Sequence, residues 1–348
     1  MDNESLMRKT FELALQGLGS TWPNPLVGAV IVKNNTIIGK GFHQRYGGPH
    51  AEIEALKNCT ESAEGATVYV NLEPCCHTNK QTPPCAQRLV KEKIKKVVIC
   101  NLDPNPSVNG KGVELLRSQG IEVEHGLLSH EGEMLNEVFF TAQRKRRPFV
   151  HLKLATTLDG KISLPNGESK WITSEASRQK VQELRAQTQA ILIGAETLRQ
   201  DDPSLTVRLP NYSGEQPLRV IFTETGRLDP KAQVFNDQWR ERTLVFTQTS
   251  LQIADVKAIK FTTLEEALQG LFEQKIIHVF LEGGANLATQ FMVQGLVDRV
   301  SLFINPSFLG EGREALGSLG VSKLSDRPTL KNIKTEVIEG DIFLSGTL

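Results

Sequence analysis

The chain has 348 residues, of which 39% are hydrophobic and 23% are charged, and no apolar run approaches the roughly 20 residues that a membrane-spanning helix needs. Forty basic residues balance forty acidic ones, which excludes a general positive field for nucleic acid or an anionic membrane surface. Five cysteines, an odd number, argue against a disulfide framework. These features predict a cytoplasmic protein, and the length predicts two domains.

The first half of the chain alternates apolar runs that are typical of strands with stretches that are typical of helices. Its start, MDNESLMRKTFELALQGL, has the pattern of an amphipathic helix without the long apolar stretch of a signal peptide. The strand-like runs that follow are VGAVIV, ATVYVNL, KVVICNL and IEVEHG, and the helical stretches are AEIEALKNC, AQRLVKEKI and GVELLRSQG. This alternation predicts an α/β domain with helices packed on a central sheet.

A second series of alternating segments begins after the basic run QRKRRP at residues 143–148. Aromatic residues do not interleave with this run, which favours a solvated linker over a nucleic-acid patch. The later segments are PFVHLKLATTLDG, AILIGAETL, LRVIFT, TLVFT, IIHVFLEGGANLATQFM and DRVSLFI. We therefore predict two α/β domains, residues 1–146 and residues 147–348.

The densest cluster of potential metal ligands lies in the first half. Pro49 and the helical pattern after it predict a helix that begins near His50, and the cysteine-rich segment NLEPCCHTNKQTPPC follows a strand. A histidine in H-A-E, a cysteine in P-C and a later cysteine form the pattern of zinc deaminases. We expect His50, Cys75 and Cys85 to bind zinc, because two thiolates and a neutral imidazole balance its charge and leave one position open for water.

Glu52 has the position expected of a general acid/base. It lies two residues after His50, and side chains two apart on a helix do not lie over one another. Glu52 is therefore expected to reach the bound water rather than the ion. The loop and strand PNPLVGAVIV at residues 23–32 make Asn24 a candidate for hydrogen-bonding the edge of a base.

An alternative remains open at this point. Cys76 or His77 could supply a fourth protein ligand, which would make the zinc a structural staple of the loop rather than a catalytic ion. Glu52, which a structural site does not need, favours catalysis. Cys59 and Cys100 lie in apolar contexts and are interpreted as buried, inert thiols.

The residues of the second half, taken by themselves, indicate only a nucleotide-binding α/β domain. The strand in IIHVFLEGG ends at Glu282, Gly283 and Gly284 before a helix, so backbone N–H groups there could receive a phosphate. Two glycines alone favour a plain tight turn. The segment AILIGAETLRQDDPSLTVR is expected to place Asp201, Asp202 and Arg208 in a loop. A pair of adjacent acidic residues is usually solvated surface.

Several segments together resemble a known family. PNPLVGAV, GPHAE, LEPCCHTNKQTPPC and LDPNPSVNGKG, then LKLATTLDGKI, GESKWIT, DDPSLTVR and LEGGANL, are similar to the bifunctional RibD family of riboflavin biosynthesis over nearly the whole chain. The resemblance implies a cytidine-deaminase-like α/β/α domain followed by a dihydrofolate-reductase-like α/β domain. It also implies zinc-dependent hydrolytic deamination of a diamino-hydroxy-phosphoribosylaminopyrimidine and then NADPH-dependent reduction of its ribosyl group to ribityl.

The resemblance assigns roles to matching positions. The zinc ligands fall on His50, Cys75 and Cys85, and the proton donor falls on Glu52, in agreement with the chemistry. Besides Asn24, the substrate-binding residues are expected at Lys153, Ser169, Arg185, Leu205, Arg208 and Glu282. The cofactor-binding residues are expected at Ala155, Trp171, Thr197, Asp201, Gly284, Ala285 and Asn286. No general acid or base for hydride transfer stands out, so the reductase is expected to work mainly by positioning its reactants, with guanidinium groups clamping the substrate phosphate.

The sequence departs from the family pattern at two places. The loop HTNKQTPPC lacks the family's glycine and is one residue longer, and Cys76 stands where the family commonly has serine, which supports leaving Cys76 off the metal. Thr223 and Glu224 replace the family's usual Asp-(Ser/Thr) after the strand in VIFTETGRL. An acid near an adenosine ribose favours the 2′-hydroxyl of NADH, but NADPH remains the expected cofactor.

Two other functions share part of this pattern. A tRNA or nucleoside deaminase has a similar metal motif, but the neutral charge and the reductase-like second half oppose it. A zinc-stapled binding module without turnover would need four protein ligands. The expected partners are a small-molecule substrate and further copies of the chain in a homo-oligomer, with neither nucleic acid nor membrane.

Overall fold

The computed structural model describes residues 2–76, 84–106, 108–251, 253 and 255–348. It divides into two compact units, Met1–Arg146 and Arg147–Leu348, called here the N-terminal unit and the C-terminal unit. Within the described residues, we find no helix with the length and apolar composition needed to cross a bilayer.

The N-terminal unit contains one five-stranded sheet. Its strands are β1 (Gly28–Lys33), β2 (Thr36–Phe42), β3 (Thr67–Leu72), β4 (Lys96–Asn101) and β5 (Glu122–His125). Their spatial order is β2-β1-β3-β4-β5; β1 is antiparallel to both of its neighbours, whereas β3, β4 and β5 are parallel. The hairpin between β1 and β2 turns through Asn34 and Asn35, both left-handed at φ 49° and 61°, a conformation that asparagine tolerates in two-residue turns.

Six helices of this unit are described. They are α1 (Asn3–Leu15), α2 (Ala51–Lys57), α3 (Cys85–Lys91), α4 (Lys111–Ser118), α5 (Ser129–Leu135) and α6 (Glu137–Lys145). Asp2 caps α1 by accepting a hydrogen bond from the Ser5 N–H, as the polar start of the sequence suggests. Gly41 on β2 lets α2 approach closely, since a Cβ there would stand 2.3 Å from the Ala55 nitrogen. This contact fixes the start of α2 against the sheet.

The C-terminal unit contains a nine-stranded sheet and a two-stranded ribbon. The large sheet comprises β6 (Phe149–Thr157), β8 (Ala190–Gly194), β9 (Leu218–Thr223), β10 (Thr243–Thr247), β11 (Lys257–Lys260), β12 (His278–Leu281), β13 (Arg299–Asn305), β15 (Lys331–Ile338) and β16 (Asp341–Thr347). The ribbon pairs β7 (Lys161–Ser163) with β14 (Arg313–Glu314). The spatial order is β11-β10-β9-β8-β12-β6-β13-β16-β15, and all neighbours are parallel except β13 with β16 and β16 with β15.

Helices cover both faces of the nine-stranded sheet. They are α7 (Glu175–Ala186), α8 (Ala195–Asp201), α9 (Gln233–Asn236), α10 (Leu264–Glu273) and α11 (Ala285–Val293), with 3₁₀ turns at Arg240–Arg242 and Leu324–Asp326. On one face Leu268 and Phe291 pack with the central strands, and on the other Val181 packs with Phe280 of β12. Such apolar central strands between two helical layers are typical of parallel sheets.

The basic run QRKRRP lies at the boundary of the two units, and Arg144, Lys145 and Arg146 are exposed, but the interpretation as a solvated linker is wrong for Arg147. Helix α6 continues through Lys145, and Arg147 is buried against Asp298. The Arg147 guanidinium donates to both carboxylate oxygens of Asp298 at 2.6 and 3.0 Å, and one of these oxygens also accepts the Val150 N–H at 2.8 Å. The Arg147 guanidinium, just before β6, thus pairs with the buried carboxylate of Asp298, which lies 151 residues later in the sequence. A buried carboxylate without such a partner would be strongly destabilising.

Two buried histidines lie side by side on β6 and β12. The rings of His151 and His278 are stacked with centroids 6.2 Å apart, and the His278 Nδ1 atom lies 3.0 Å from the Gln187 carbonyl oxygen. Burial lowers the pKa of His151 well below its usual value and lowers that of His278 to about 4. The nearby Arg299 guanidinium acts in the same direction on both rings, and Asp298 acts against it on His278.

These histidines are expected to make the protein less stable in acid. Because their folded pKa is lower than the unfolded value of about 6.5, the stability present above pH 6.5 is lost as the pH falls towards the folded pKa. For His278 the loss is on the order of 2 kcal/mol by about pH 5. Urea unfolding at pH 8 and pH 5 checks this. The free energy of unfolding should differ less between pH 8 and pH 5 in His278→Gln than in the wild-type protein, whereas the exposed control His130→Gln should show the wild-type difference. An equal difference in all three proteins would contradict the prediction.

Candidate functional site

The metal ligands predicted from the sequence converge in the N-terminal unit. His50 immediately precedes α2, Cys75 lies three residues after β3, and Cys85 is the first residue of α3. The His50 Nδ1 atom is 3.5 Å from the Cys75 sulfur and 3.2 Å from the Cys85 sulfur, and all three ligand atoms lie within 4.8 Å of one another.

This cluster fits a tetrahedral zinc ion. With Zn–N and Zn–S bonds of about 2.0 and 2.3 Å, nitrogen and sulfur ligands stand about 3.5 Å apart. The observed Nδ1–Sγ distances of 3.5 and 3.2 Å match this spacing. A hydrogen bond from Cys85 lowers the pKa of the Cys75 thiol to about 3, and the Cys85 N–H also points at the Cys75 sulfur. The same hydrogen bond, together with burial, raises the pKa of the Cys85 thiol well above its usual value. The pair therefore favours the thiolate at Cys75, the form that binds metal, with Cys85 as its hydrogen-bond donor.

Glu52 is buried in the first turn of α2, beside the cluster rather than within it. Burial raises the pKa of its carboxyl, while the neighbouring His50 imidazole acts in the opposite direction. A carboxyl group whose pKa is raised can carry a proton at a pH where surface carboxyls do not. This is the chemistry required of a proton shuttle.

The remaining cysteines lie outside the cluster. Cys76 is half-buried, Cys59 is half-buried with its sulfur 3.4 Å from the Ala55 carbonyl oxygen, and burial raises the pKa of Cys100 to about 12. His77, the other alternative ligand, lies outside the described residues. Among the described side chains the cluster thus has three protein ligands, which is the number found in catalytic zinc sites with an open position.

Asn24 lies close to the metal ligands through a second histidine. Its side-chain nitrogen is 3.0 Å from the His43 Nε2 atom, and His43 Nδ1 is 2.9 Å from the Pro49 carbonyl oxygen. The His43 ring also meets the His50 ring edge-on, with centroids 5.5 Å apart. His43 was not predicted from the sequence. Its position directly after β2 is the only feature of the sequence that could have indicated a role in the site.

Glu73 is a further residue that sequence reasoning missed. Its buried carboxylate accepts hydrogen bonds from the backbone N–H groups of Asp103, Gly110, Gly112 and Val113, at 2.8 to 3.3 Å. A Cβ at Gly112 would stand 2.3 Å from the Pro74 carbonyl oxygen, so a glycine is needed there. Glu73 thereby joins the DPNPSVNGKG loop to the segment that carries Cys75. The presence of an acidic residue in L-E-P-C, two residues before the ligand Cys75, is the feature of the sequence that could have indicated this role.

The C-terminal unit holds a cluster of buried charges on adjacent strands. In register, Leu281 of β12 lies beside Leu152 of β6, so Glu282 follows next to Lys153. The Glu282 carboxylate accepts two hydrogen bonds from Arg185, at 2.5 and 2.9 Å. Burial lowers the pKa of the Lys153 amine. The positive charge of Arg185 also lowers this pKa, whereas the negative charge of Glu282 raises it.

The two predicted phosphate-binding arginines differ in what they contact. The guanidinium of Arg185 is bonded to Glu282 on one side and to the Thr206 carbonyl oxygen at 2.9 Å on another. Arg208 is exposed, and its guanidinium donates to the Ser204 hydroxyl at 2.7 Å. Arg208 is therefore the better placed of the two to meet a phosphate. Leu205 is buried with φ 51°, so a contact with substrate would come from its backbone.

A cavity of about 960 Å³ opens in the C-terminal unit. Six of the predicted site residues line it: Ser169, Thr197, Asp201, Gly284, Ala285 and Asn286. Its volume lies at the upper end of the range for small-molecule sites. The Gly284 N–H donates to the Thr197 hydroxyl at 2.8 Å, and α11 begins at the next residue, Ala285, which also lines the cavity. Because the first N–H groups of a helix have no partner within it, this helix start could receive a phosphate.

Other predicted residues are not among those that line this cavity. Ala155 lies on β6, two residues beyond Lys153 and on the same face of the strand. Trp171 is 69% exposed, and the guanidinium of Arg178 lies over its ring at 4.4 Å. Thr223 and Glu224, where the sequence departs from the family pattern, do line the cavity.

Family models match both units. Residues 1–101 match the cytidine and deoxycytidylate deaminase zinc-binding region, and residues 148–344 match the RibD C-terminal domain. The predicted fold class, a cytidine-deaminase-like domain followed by a dihydrofolate-reductase-like domain, is thereby confirmed. The expected cofactors are confirmed as well: the chain has a zinc-binding deaminase region and an NADPH-dependent reductase domain.

Several proteins are similar over the whole chain. Riboflavin biosynthesis protein RibD of Aquifex aeolicus is 40% identical over 98% of this chain and 97% of its own length, and that of Escherichia coli is 38% identical over 99% of each. The structure of Acinetobacter baumannii RibD superposes with a TM-score of 0.91 at 40% identity, covering 99% of this chain and 98% of that one. A Thermotoga maritima structure, described as a diaminohydroxyphosphoribosylaminopyrimidine deaminase/5-amino-6-(5-phosphoribosylamino)uracil reductase, has a TM-score of 0.88 at 40% identity and the same coverage. This chain, a deaminase joined to a reductase, belongs to the RibD family of riboflavin biosynthesis.

Proposed function

We propose that the chain deaminates a diaminohydroxyphosphoribosylaminopyrimidine and then reduces the ribosyl group of the resulting 5-amino-6-(5-phosphoribosylamino)uracil to ribityl. The observation that carries the proposal is the buried Glu52 carboxyl beside a cluster of three metal ligands. A structural zinc site would have no use for such a carboxyl and would have four protein ligands. The name of the Thermotoga maritima relative supports the choice of substrates.

In the deamination, zinc held by His50, Cys75 and Cys85 supplies the Lewis acidity that makes water a nucleophile near neutral pH. Glu52 takes a proton from the attacking water and delivers it to the amino nitrogen, which leaves as ammonia. The raised pKa of Glu52 suits both steps, because the group must gain and then lose a proton. Asn24, held beside His43, is proposed to hydrogen-bond the edge of the pyrimidine.

In the reduction, the residues assigned to the cofactor would hold NADPH, whose chemistry would be to give a hydride to the first carbon of the ribosyl group. Opening the sugar ring leaves its oxygen in need of a proton, and we assign the donor to Lys153. Because burial lowers the pKa of Lys153, its ammonium gives up a proton more readily than that of a surface lysine. The ion pair of Glu282 and Arg185 supplies the charged neighbours of Lys153. Arg208 is assigned to the substrate phosphate.

The assignment of activities to the chain follows the two units. Deamination is proposed for residues 1–146 and reduction for residues 147–348. The cofactor is assigned to the 960 Å³ cavity, which is lined by five of the predicted cofactor-binding residues: Thr197, Asp201, Gly284, Ala285 and Asn286. Ala155 and Trp171, which do not line the cavity, are also proposed to contact the cofactor. A homo-oligomer and a cytoplasmic location, both expected from the resemblance and composition, complete the proposal.

Removal of zinc is expected to separate the two activities. Treatment with a strong chelator should stop ammonia release, whereas NADPH oxidation on the deaminated substrate should continue, because no residue of the reductase cluster belongs to the metal cluster. Zinc content measured by mass spectrometry should fall to zero and return to about one ion per chain on reconstitution, together with ammonia release. Ammonia release by the zinc-free protein would contradict the assignment of the cluster.

A further inference from the structure

The order of the strands indicates which end of the 960 Å³ cavity would receive the adenosine of a dinucleotide. The proton donor assigned above, Lys153, lies on β6, so the nicotinamide must lie towards that strand to deliver its hydride. The helix start at Gly284, which suits a phosphate, follows β12, the neighbour of β6. Beyond β12 come β8, β9 and β10, in that order. A dinucleotide laid across the carboxyl ends of these parallel strands would therefore have its adenosine over β9 and β10.

This adenosine end of the cavity is acidic. It is formed by the carboxyl ends of β9 and β10 and by the segment that leads into α10: Phe222, Thr223, Glu224, Thr225, Gln248, Phe261, Thr262, Thr263 and Leu264. Of the described residues that line this end, Glu224 carries the one charge, and none is a lysine or an arginine. An arginine is the usual partner of the 2′-phosphate that distinguishes NADPH from NADH, whereas an acid is the usual partner of the 2′-hydroxyl.

Glu224 lies in a tight turn whose position is fixed by its neighbours. The Thr223 hydroxyl accepts a hydrogen bond from the Gly226 N–H at 3.2 Å, and Gly226 is left-handed with φ 67°. A Cβ at Gly226 would stand 2.5 Å from the Ser250 carbonyl oxygen, so the turn after β9 packs closely against the segment after β10. Glu224 itself is exposed, and its carboxylate forms no hydrogen bond or ion pair with another residue in the described part of the chain. The carboxylate is therefore available to a ligand in the cavity.

The arginines that line the cavity, Arg199 and Arg313, are associated with α8 rather than with Glu224. A hydrogen bond from Arg199 at 2.7 Å lowers the pKa of the Glu196 carboxyl in the first turn of α8, and the charge of Arg313 acts in the same direction. Helix α8 follows β8, which lies between β12 and β9, so these arginines are closer to the middle of the proposed dinucleotide. Positive charge there favours the pyrophosphate, which NADH and NADPH share, and does not distinguish the two coenzymes.

We propose that Glu224 binds the 2′-hydroxyl of the adenosine ribose, so that this reductase accepts NADH as well as NADPH. A carboxylate accepts a strong hydrogen bond from a hydroxyl group but repels a phosphate at the same position. In the family's usual Asp-(Ser/Thr) the acid stands one residue earlier, at the buried position of Thr223, whereas Glu224 is exposed. The inference rests on the proposed placement of the cofactor in this cavity and does not depend on deamination.

The binding of two coenzyme fragments tests the selection without turnover. ADP-ribose and 2′-phospho-ADP-ribose differ only in the 2′-phosphate, and calorimetry of the full chain gives a dissociation constant for each. We expect the wild-type protein to bind ADP-ribose at least as tightly as the phosphorylated fragment. Glu224→Gln keeps the size of the side chain but removes its charge, and it should shift the ratio of the two constants about tenfold towards the phosphate. Glu224→Lys should shift the ratio about a hundredfold.

Glu273→Gln is the matched control, because Glu273 is exposed at the end of α10 that lies away from the cavity, and it should leave both constants unchanged. The kcat/KM values for NADH and NADPH with the deaminated substrate should change in the same direction as the fragment affinities. A wild-type preference of more than tenfold for the phosphorylated fragment, or a ratio that is the same in Glu224→Lys, would overturn the role of Glu224 and leave the reductase in place. Failure of both fragments to bind would instead overturn the placement of the cofactor, and the inference with it.

Discussion

Replacing Glu52 by glutamine is expected to abolish ammonia release while the protein keeps its zinc. Glutamine has nearly the same shape but cannot accept a proton from water, and a positioned general acid/base contributes about 10²- to 10⁴-fold to a rate. Because Glu52 is not one of the three ligand residues, the zinc content should stay at the wild-type level. Ammonia release and zinc content are measured on the same preparation.

The neighbouring Glu54 offers a matched control. It lies in the same turn of α2, and its carboxylate contacts Lys57 at 2.8 Å on the surface of the helix. Glu54→Gln should deaminate at close to the wild-type rate. Reduction of the deaminated substrate by Glu52→Gln should also be normal, which would show that the protein is folded. A wild-type rate of ammonia release from Glu52→Gln would contradict the assignment of Glu52 as the proton shuttle.

Replacing Lys153 by methionine is expected to abolish NADPH oxidation while deamination continues. Methionine fills much of the same space without an ionisable group, so the variant keeps the packing against Phe303 but cannot donate a proton. The loss should fall mainly on kcat, by about 10²- to 10⁴-fold. A residue that only bound the phosphate would instead raise KM.

The pH profile distinguishes proton donation by Lys153 from a structural role. If Lys153 donates the proton, the fall of kcat on the alkaline side of the wild-type profile should follow its lowered pKa and disappear in the residual activity of Lys153→Met. The exposed Lys231, changed to methionine, should have no effect on either parameter. A Lys153→Met enzyme with normal kcat would overturn the assignment.

The metal site could be predicted from the sequence because its parts are local. His50 immediately precedes α2 and Glu52 lies in its first turn, while Cys75 follows β3 and Cys85 begins α3, the next helix. Residue type and spacing were therefore enough to indicate the chemistry. Glu73 and His43 were not predicted because they form hydrogen bonds with backbone groups. Every residue type has such groups, so the sequence does not indicate which ones are the partners.

The alternation of strands and helices in both halves was also readable, whereas the charged contacts of the C-terminal unit were not. Arg185 and Glu282 are 97 residues apart, and only the order of β8, β12 and β6 in the sheet brings them together. For the same reason neither carboxylate partner was foreseen when the family resemblance suggested a phosphate clamp at Arg185 and the basic run suggested a solvated Arg147. Both guanidinium groups face carboxylates that arrive from distant strands.

The most direct test of the account follows both reactions in one sample. Zinc-loaded protein is mixed with the diaminopyrimidine ribotide, ammonia is measured, and NADPH is then added while its absorbance is recorded. We expect one ammonia per substrate, followed by oxidation of one NADPH. No ammonia from the ribotide, with NADPH oxidised only when the deaminated compound is supplied, would mean that His50, Cys75 and Cys85 hold a structural ion beside a working reductase.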